Sequence, residues 1–147
     1  MRRAIVVPVL LALAALAMAA DEPGEVVKSG FEGRLLLERA VAGHLKELNG
    51  RYVLRLSETT YAPGGYIGAH QHAGPGIRYV EEGRLAYVQQ GRTTVYGPGD
   101  CFYETGDTTH TARNDGKTPV RLLNFELLPA GWRGSSAIPP PDSLAHR

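Results

Sequence analysis

From Arg51 onward, the chain consists of short runs of β-branched and aromatic residues separated by turn-forming residues. The turn signals are Pro63-Gly64-Gly65, Glu82-Gly83, Gln90-Gly91, Gly97-Pro98-Gly99 and Asp115-Gly116. The runs between them predict strands at residues 52–59, 66–72, 77–81, 84–89, 92–96, 100–103, 110–114 and 120–128. Short strands at this spacing are typical of a β-sandwich or a small barrel. The sequence therefore predicts an all-β domain.

The first 19 residues have the features of a secretory signal peptide. Arg2 and Arg3 give a basic start, an apolar run follows, and Ala17-Met18-Ala19 supplies the small residues that precede a cleavage site. An uncleaved membrane anchor is the alternative, although the apolar run is shorter than the roughly 20 residues that a spanning helix needs. We therefore expect a mature protein that is periplasmic or secreted and that is not held in a membrane.

At 147 residues, the chain has the length of one domain with a substantial core. We predict a signal peptide at 1–19, an N-terminal arm at 20–50, the β-domain at 51–128 and a tail rich in Pro and Gly at 129–147. The arm is either a strand followed by a turn or short helix, or one amphipathic helix that ends at Asn49-Gly50, and we favour the strand and turn. The tail is expected to be irregular, with Trp132 as its anchor.

Charge and cysteine content narrow the class of protein. The chain has 16 basic and 15 acidic side chains, and this balance lacks the basic surface of a nucleic-acid-binding protein. The one cysteine is Cys101, so an exported chain folds without an internal disulfide. Because Cys101 lies in the apolar-leaning stretch DCFYE, we expect it to be buried and unreactive.

Two histidines, His70 and His72, lie two positions apart in a predicted strand. Residues two apart on a strand share a face, so the two imidazoles project side by side and can bind one ion. A third histidine, His110, is distant in sequence, but a barrel can bring it beside the pair. Taken singly, each histidine has the alternative interpretation of an ordinary core or surface residue.

The spacing around these histidines resembles the two sequence motifs of the cupin superfamily. The first motif is glycine, five residues, His-x-His, three or four residues, glutamate, six residues and glycine. It is matched by Gly64, His70, His72 and Gly83, and Gly76 stands where the glutamate is expected. The second motif is matched by Gly99, His110 and Asn114, whereas Thr105 replaces its proline and Asp107 its second glycine.

The resemblance implies an all-β, double-stranded β-helix (cupin) barrel in which His70, His72 and His110 bind one divalent metal ion. Imidazole suits iron, zinc, nickel and copper alike, so the ligands do not fix the ion. The implied function is that of a metal-dependent enzyme, of the dioxygenase or isomerase type, acting on a small organic molecule. The alternatives are a non-catalytic module that binds a small ligand and a relic whose histidines bind metal weakly. A small molecule is thus the expected partner, with a homodimer as a further prediction.

Gly76 is the informative departure from the motif. A neutral set of three imidazoles leaves the charge of the ion uncompensated, so the ion should be a stronger Lewis acid and should be bound less tightly. Glycine also leaves room in which a water or a bidentate substrate can bind the ion. The alternative is a substitute carboxylate from the second motif, either Glu104 or Asp107.

Two further side chains are candidate catalytic residues. Arg78 lies two residues after Gly76 and therefore on the same strand face, where its guanidinium can bind a substrate carboxylate or enolate. The alternative is an arginine at the barrel rim that pairs with Glu104 or Glu81. Tyr66 has the parity of His70 in its strand, so we predict that it lines the same pocket, as catalyst or as wall.

Overall fold

The computed structural model describes residues 25–141, which form a nearly closed antiparallel barrel of nine strands and, over that range, no helix. The predicted all-β barrel is therefore confirmed. No helix long and apolar enough to cross a membrane occurs among these residues. The predicted signal peptide, residues 1–19, lies outside the described part of the chain and stays a prediction.

The strands follow one another along the chain with short connections. They are β1 (Lys28–Ala40), β2 (Tyr52–His72), β3 (Gly76–Glu82), β4 (Leu85–Gln89), β5 (Arg92–Tyr96), β6 (Cys101–Glu104), β7 (His110–Arg113), β8 (Val120–Pro129) and β9 (Ala137–Ile138). Hydrogen bonding gives the order β5-β4-β7-β2-β8-β3-β6, and β1 and β9 pair with β2 outside this path. The N-terminal arm thus contains the strand and turn that the sequence favoured.

Strand β2 is continuous over 21 residues, although the sequence predicts two strands separated by a turn at 63–65. Gly64 has a φ of 75°, which bends the chain, but Gly65 keeps the extended path because its backbone packs directly against Gly30 of β1. A Cβ at position 65 would overlap the Gly30 carbonyl oxygen. The glycines therefore allow a bent strand and a close contact between strands, and they do not end the strand.

The core fills the closed side of the barrel with side chains that alternate inward along the strands. Its buried members are Tyr61, Ile67, Val80, Leu85, Tyr87, Phe102, Ala112, Val120 and Leu122. Full burial of a side chain such as Leu85 stabilises the fold by about 1.5 to 3 kcal/mol. This packing holds β2, β7 and β8 in fixed register, and these strands carry most of the side chains of the site.

Asn114, the last residue of the second motif, is buried and links β2 to the turn that follows β7. Its Nδ2 donates hydrogen bonds to the carbonyl oxygens of Tyr61, Ala62 and Thr118, and its Oδ1 accepts one from the amide of Gly116. One side chain thus contacts four backbone groups around the bend, with the two N–H bonds of Nδ2 shared among three carbonyl oxygens. The motif asparagine has a structural role here.

Cys101 is exposed, so the prediction of a buried thiol is wrong. Strand β6 alternates, with Phe102 and Glu104 facing the interior and Cys101 and Tyr103 facing outward. The stretch DCFYE has an aromatic side chain on each face, so the register of the strand decides which residues are buried. The same alternation places Glu104 inside the barrel.

Candidate metal centre

Three histidines converge inside the barrel from two neighbouring strands. His70 and His72 lie near the end of β2, and His110 begins β7, where it is the direct cross-strand partner of His70. Each ring offers one nitrogen, and these atoms lie within 4.8 Å of one another. His70 and His110 are almost completely buried, and His72 is partly buried. The structure thus brings together the three predicted ligands.

Each imidazole is oriented by an oxygen on its Nδ1 side. His70 Nδ1 lies 2.7 Å from the carbonyl oxygen of Gly68, and His110 Nδ1 lies 3.0 Å from that of Thr108. His72 Nδ1 lies 3.1 Å from Ser136 Oγ, whose own hydroxyl donates to Glu126. Because these oxygens accept the Nδ1 proton, each Nε2 presents a lone pair to the interior, as metal-binding histidines do.

The environment of His70 also keeps it neutral. Burial, together with the neighbouring His110 and His72, lowers the pKa of His70 to about 3. A neutral imidazole is the form that binds a metal ion. His70 is therefore available as a ligand across the whole neutral and mildly acidic range.

Glu104, at the end of β6, faces the histidines. Its Oε1 lies 3.1 Å from Nε2 of His110, and its Oε2 lies 3.2 Å from Nε2 of His72. Burial by itself raises the pKa of Glu104, but the neighbouring His110 and the charge of Arg78 outweigh burial and lower the pKa to about 2. Glu104 is therefore a carboxylate at neutral pH.

Arg78 lies inside the barrel beside two carboxylates and is only 3% exposed. Its Nη2 is 2.6 Å from Glu104 Oε2 and 3.1 Å from Glu126 Oε1. The predicted position on the inner face of β3 is thus correct, and the pairing with Glu104 is the one that the alternative interpretation named. Arg78 is buried, however, and does not lie at the rim.

Gly76 does not leave an open position. Glu104 of β6 and Glu126 of β8 are its direct neighbours on either side, and the Arg78 guanidinium packs over its Cα. A Cβ at position 76 would overlap Nη1 of Arg78 and lie 2.8 Å from the carbonyl oxygen of Phe125. The space that the motif glutamate would use is therefore filled by arginine, contrary to the expected vacancy.

Tyr66 lies on the outside of the barrel and is 39% exposed. An irregularity in the pairing of β2 with β7 falls between Ile67 and His70, and it reverses the alternation. Ile67 is consequently buried, and Tyr66 is absent from the lining of the cavity. The prediction that Tyr66 shares a face with His70 is wrong.

Two contributors to the site were missed by the sequence analysis. Glu126 lies on the inner face of β8, where the other buried residues are largely apolar. An acidic residue at a buried position is unusual, so this alternation is a sequence signal for Glu126. Ser136 comes from the tail, which β9 attaches to Gln71 and His72 of β2. No sequence pattern points to Ser136, because its position depends on how the tail docks.

A cavity of about 520 Å³ opens beside these side chains. Its lining combines the polar cluster with apolar and aromatic side chains, among them Phe31, Tyr61, Ile67, Tyr87 and Phe102. Volumes of a few hundred Å³ are typical of pockets for small molecules. The cavity can therefore hold a small organic molecule in contact with the histidines.

Comparison with known proteins agrees with this arrangement. Residues 57–126 match the family model described as Cupin_2, cupin domain. Over this segment, just under half of its length, the chain is similar to cupin domains. The segment includes all three histidines, Arg78, Glu104 and Glu126, whereas Ser136 lies beyond it. A search of curated proteins finds no match.

Solved structures show the same cupin fold at low sequence identity. The polyketide cyclase RemF from Streptomyces resistomycificus has a TM-score of 0.56 and 23% identity, over 84% of this chain and 79% of that one. A cupin-2 domain protein from Rhodospirillum rubrum has a TM-score of 0.56 and 15% identity, over 79% and 69% of the two chains. A predicted oxalate decarboxylase from Thermotoga maritima has a TM-score of 0.53 and 19% identity, over 70% and 91%. Likeness at this level establishes the fold alone.

The metal-free protein should lose stability as the pH falls below about 6.5, since His70 has a lower pKa in the folded state than in the unfolded state. The unfolded chain takes up a proton that the folded chain excludes, so stability is present above the unfolded pKa and is lost on acidification. Between pH 7 and pH 5 this group should lower the free energy of unfolding by about 2 kcal/mol. Urea unfolding of EDTA-treated protein at both pH values measures the loss.

The matched control is His70→Asn, which removes the titrating group. Its free energy of unfolding should change less between pH 7 and pH 5 than that of the parent. An equal change in both proteins would show that the loss comes from other groups.

Proposed function

We propose that this protein is a metal-dependent enzyme, of the dioxygenase or isomerase type, that acts on a small organic molecule. The observation that carries the proposal is the convergence of three oriented Nε2 atoms beside a cavity of about 520 Å³. His70, His72 and His110 would hold one divalent ion, and iron, zinc, nickel and copper all suit imidazole ligands. Such an ion, when bound, supplies Lewis acidity or redox chemistry next to the cavity.

The charges around the site favour an anionic substrate. Glu104 and Glu126 contribute two negative charges, Arg78 contributes one positive charge, and all three side chains are buried. With neutral histidines and a divalent ion, the net charge of the site becomes +1. Because an uncompensated buried charge is unfavourable, a ligand with one negative charge, such as a carboxylate or an enolate, is the best match.

Arg78 is proposed to contribute charge and not to bind the substrate directly. Its Nη2 contacts two carboxylates, and its Nη1 is buried against Gly76 without a hydrogen-bond partner in the described part of the chain. Neither nitrogen is free to form the bidentate contact that a carboxylate substrate would need. The predicted catalytic role of Arg78 is therefore narrowed to electrostatic support.

A cavity with buried charged groups argues against the relic interpretation. A barrel that had lost its function would be free to fill with apolar side chains, because buried charges are costly to keep. The non-catalytic binding module remains the alternative, and turnover separates it from the enzyme. Export to the periplasm or the exterior, and assembly as a homodimer, remain proposals that rest on the sequence and the resemblance.

Metal content and turnover test the proposal. The parent protein, loaded with Fe²⁺, Zn²⁺, Ni²⁺ or Cu²⁺ and desalted, should retain one ion per chain, whereas His110→Ala should lose at least nine-tenths of it. The control is His44→Ala, because His44 is exposed in the turn after β1. Oxygen uptake and NMR detection of isomerised products, over a panel of small carboxylic acids and enolisable ketones, then measure turnover.

Either of two outcomes would overturn the proposal. Equal metal retention in the parent and in His110→Ala would show that the histidines are not the ligands. Saturable binding of a panel compound without any turnover, with every metal, would favour the non-catalytic module.

A further inference from the structure

Three residues on neighbouring strands share one row on the inner face of the barrel. Gly76 of β3 pairs with Glu104 of β6 on one side and with Glu126 of β8 on the other. The cross-strand neighbours of a residue lie about 5 Å away on the same face. A carboxylate absent from position 76 can therefore be supplied from the next strand.

We propose that Glu104 is the carboxylate ligand of the ion held by the three histidines, and that it replaces the glutamate missing at Gly76. This assignment rests on the proposed metal site. Its ligand set would be His70, His72, His110 and Glu104, drawn from β2, β7 and β6.

Hydrogen-bond acceptors face one another at the centre of the site. His72 and His110 use Nδ1 to donate to Ser136 Oγ and to the Thr108 carbonyl, so their Nε2 atoms carry lone pairs. Those lone pairs face the two oxygens of Glu104 at 3.2 and 3.1 Å. Two acceptors at this distance repel each other unless a cation lies between them. Arg78 approaches Oε2, so the pair formed by Oε1 and His110 Nε2 has the greater need of such a cation. A divalent ion bound by these Nε2 atoms and by the Glu104 carboxylate would replace the repulsion with attraction.

One carboxylate oxygen of Glu104 lacks a hydrogen bond within the described residues. Oε2 of Glu104 is buried and has no hydrogen-bond partner among residues 25–141, because its 2.6 Å approach to Arg78 lacks hydrogen-bond geometry. A buried carboxylate oxygen without a hydrogen bond is costly and is rare in folded proteins. Coordination to a metal ion would supply the missing partner.

Glu126 is not an equivalent candidate, although it is equally buried. Its Oε1 accepts the hydroxyl of Ser136 and a hydrogen bond from Arg78, and it approaches His72 from the Nδ1 side, at 3.4 Å. It therefore faces the protonated side of the ring, away from the lone pair. Glu126 orients a ligand and balances Arg78, whereas Glu104 faces the ligand nitrogens themselves.

The pair of carboxylates provides a matched experiment. Glu104→Gln and Glu126→Gln each leave Arg78 with one buried carboxylate, so both variants keep one ion pair in the metal-free state. We expect Glu126→Gln to weaken Zn²⁺ binding by about 10- to 100-fold, the loss that is typical when an outer hydrogen-bonding partner of a ligand is removed. Glu104→Gln should weaken it by well over 100-fold, because a ligand itself is lost. Competition with a chelating dye measures both affinities.

Visible absorption of bound Co²⁺ gives a second readout that does not depend on activity. The bands should shift in Glu104→Gln, because a ligand is lost, and should stay in place in Glu126→Gln. Circular dichroism of the metal-free variants checks folding, and Glu104→Asp serves if Glu104→Gln does not fold, with weakened binding expected because the shorter side chain cannot reach the ion.

Unchanged Zn²⁺ affinity and an unchanged Co²⁺ spectrum in the Glu104 variant would overturn the assignment. Equal weakening in both glutamine variants with an unshifted spectrum would also overturn it, since that pattern indicates a general electrostatic effect. His110→Ala distinguishes a failure of the three-histidine site from a failure of the fourth ligand alone. If it abolishes Zn²⁺ binding while Glu104→Gln does not weaken it, the three-histidine site stands and the fourth ligand is wrong.

Discussion

Replacing Arg78 by methionine should lower the free energy of unfolding of the metal-free protein by about 3 to 5 kcal/mol. Arg78 Nη2 contacts both Glu104 and Glu126, and all three side chains are buried. Methionine fills much of the volume but leaves two carboxylates close together in a region of low dielectric, without their guanidinium. Urea unfolding of EDTA-treated protein at pH 7 measures the difference.

Arg34→Met is the matched control. Arg34 pairs with Glu58 at 3.1 Å, but its side chain is 69% exposed, so its loss should cost less than about 1 kcal/mol. Similar small losses for both arginines would show that the buried carboxylates take up protons or water at little cost. Such a result would also remove the charge argument for an anionic substrate.

Much of the fold follows from the sequence because local alternation and the large-scale topology agree. On β8, the residues 120, 122, 124, 126 and 128 are all buried, and the predicted strand has the same period. The prediction failed at β2, where Gly64 and Gly65 have the composition of a turn. Only the contact between Gly65 and Gly30 shows that the chain continues through these glycines in extended form. That contact joins residues distant in sequence, so local patterns do not reveal it.

The histidines of the site were predictable for a different reason. Their spacing matches a motif, and the motif carries the long-range information that β2 and β7 are neighbours. Tyr66 was misplaced because parity along a strand holds only while the strand is regular, and β2 has an irregularity between Ile67 and His70. A shift of one residue moves a side chain to the opposite face.

The carboxylates show where sequence reasoning reaches its limit. The sequence offers Glu104 as a substitute carboxylate, but Glu104 lies just before the stretch TGD, so local sequence does not show which way its side chain points. The pairing of β6 with β3, which sets Glu104 opposite Gly76, decides that direction. Since this register is fixed by the packing of Phe102 in the core, it is a property of the whole barrel. The glycine at position 76 is therefore explained only together with Arg78, which occupies the space beside it, and Glu104, which lies opposite it.

That interdependence can be measured with a double-mutant cycle at Gly76 and Arg78. Gly76→Ala alone should lower the free energy of unfolding by about 3 kcal/mol, because the added methyl overlaps the guanidinium and crowds the Phe125 carbonyl oxygen at 2.8 Å. In an Arg78→Ala background the overlap with the guanidinium is gone and only the carbonyl contact remains. Gly76→Ala should then cost at least about 1 kcal/mol less than in the parent. Urea unfolding of the four proteins, all metal-free, measures the coupling.

Gly33→Ala is the control for the cycle, because a Cβ at position 33 would meet Thr59 at 3.8 Å, an ordinary contact. It should change stability little and by the same amount in both backgrounds. Additive losses for Gly76→Ala and Arg78→Ala would mean that the alanine methyl is accommodated without moving the guanidinium. The position of Arg78 would then not require glycine at position 76. The proposal that Glu104 replaces a glutamate at that position would lose this support.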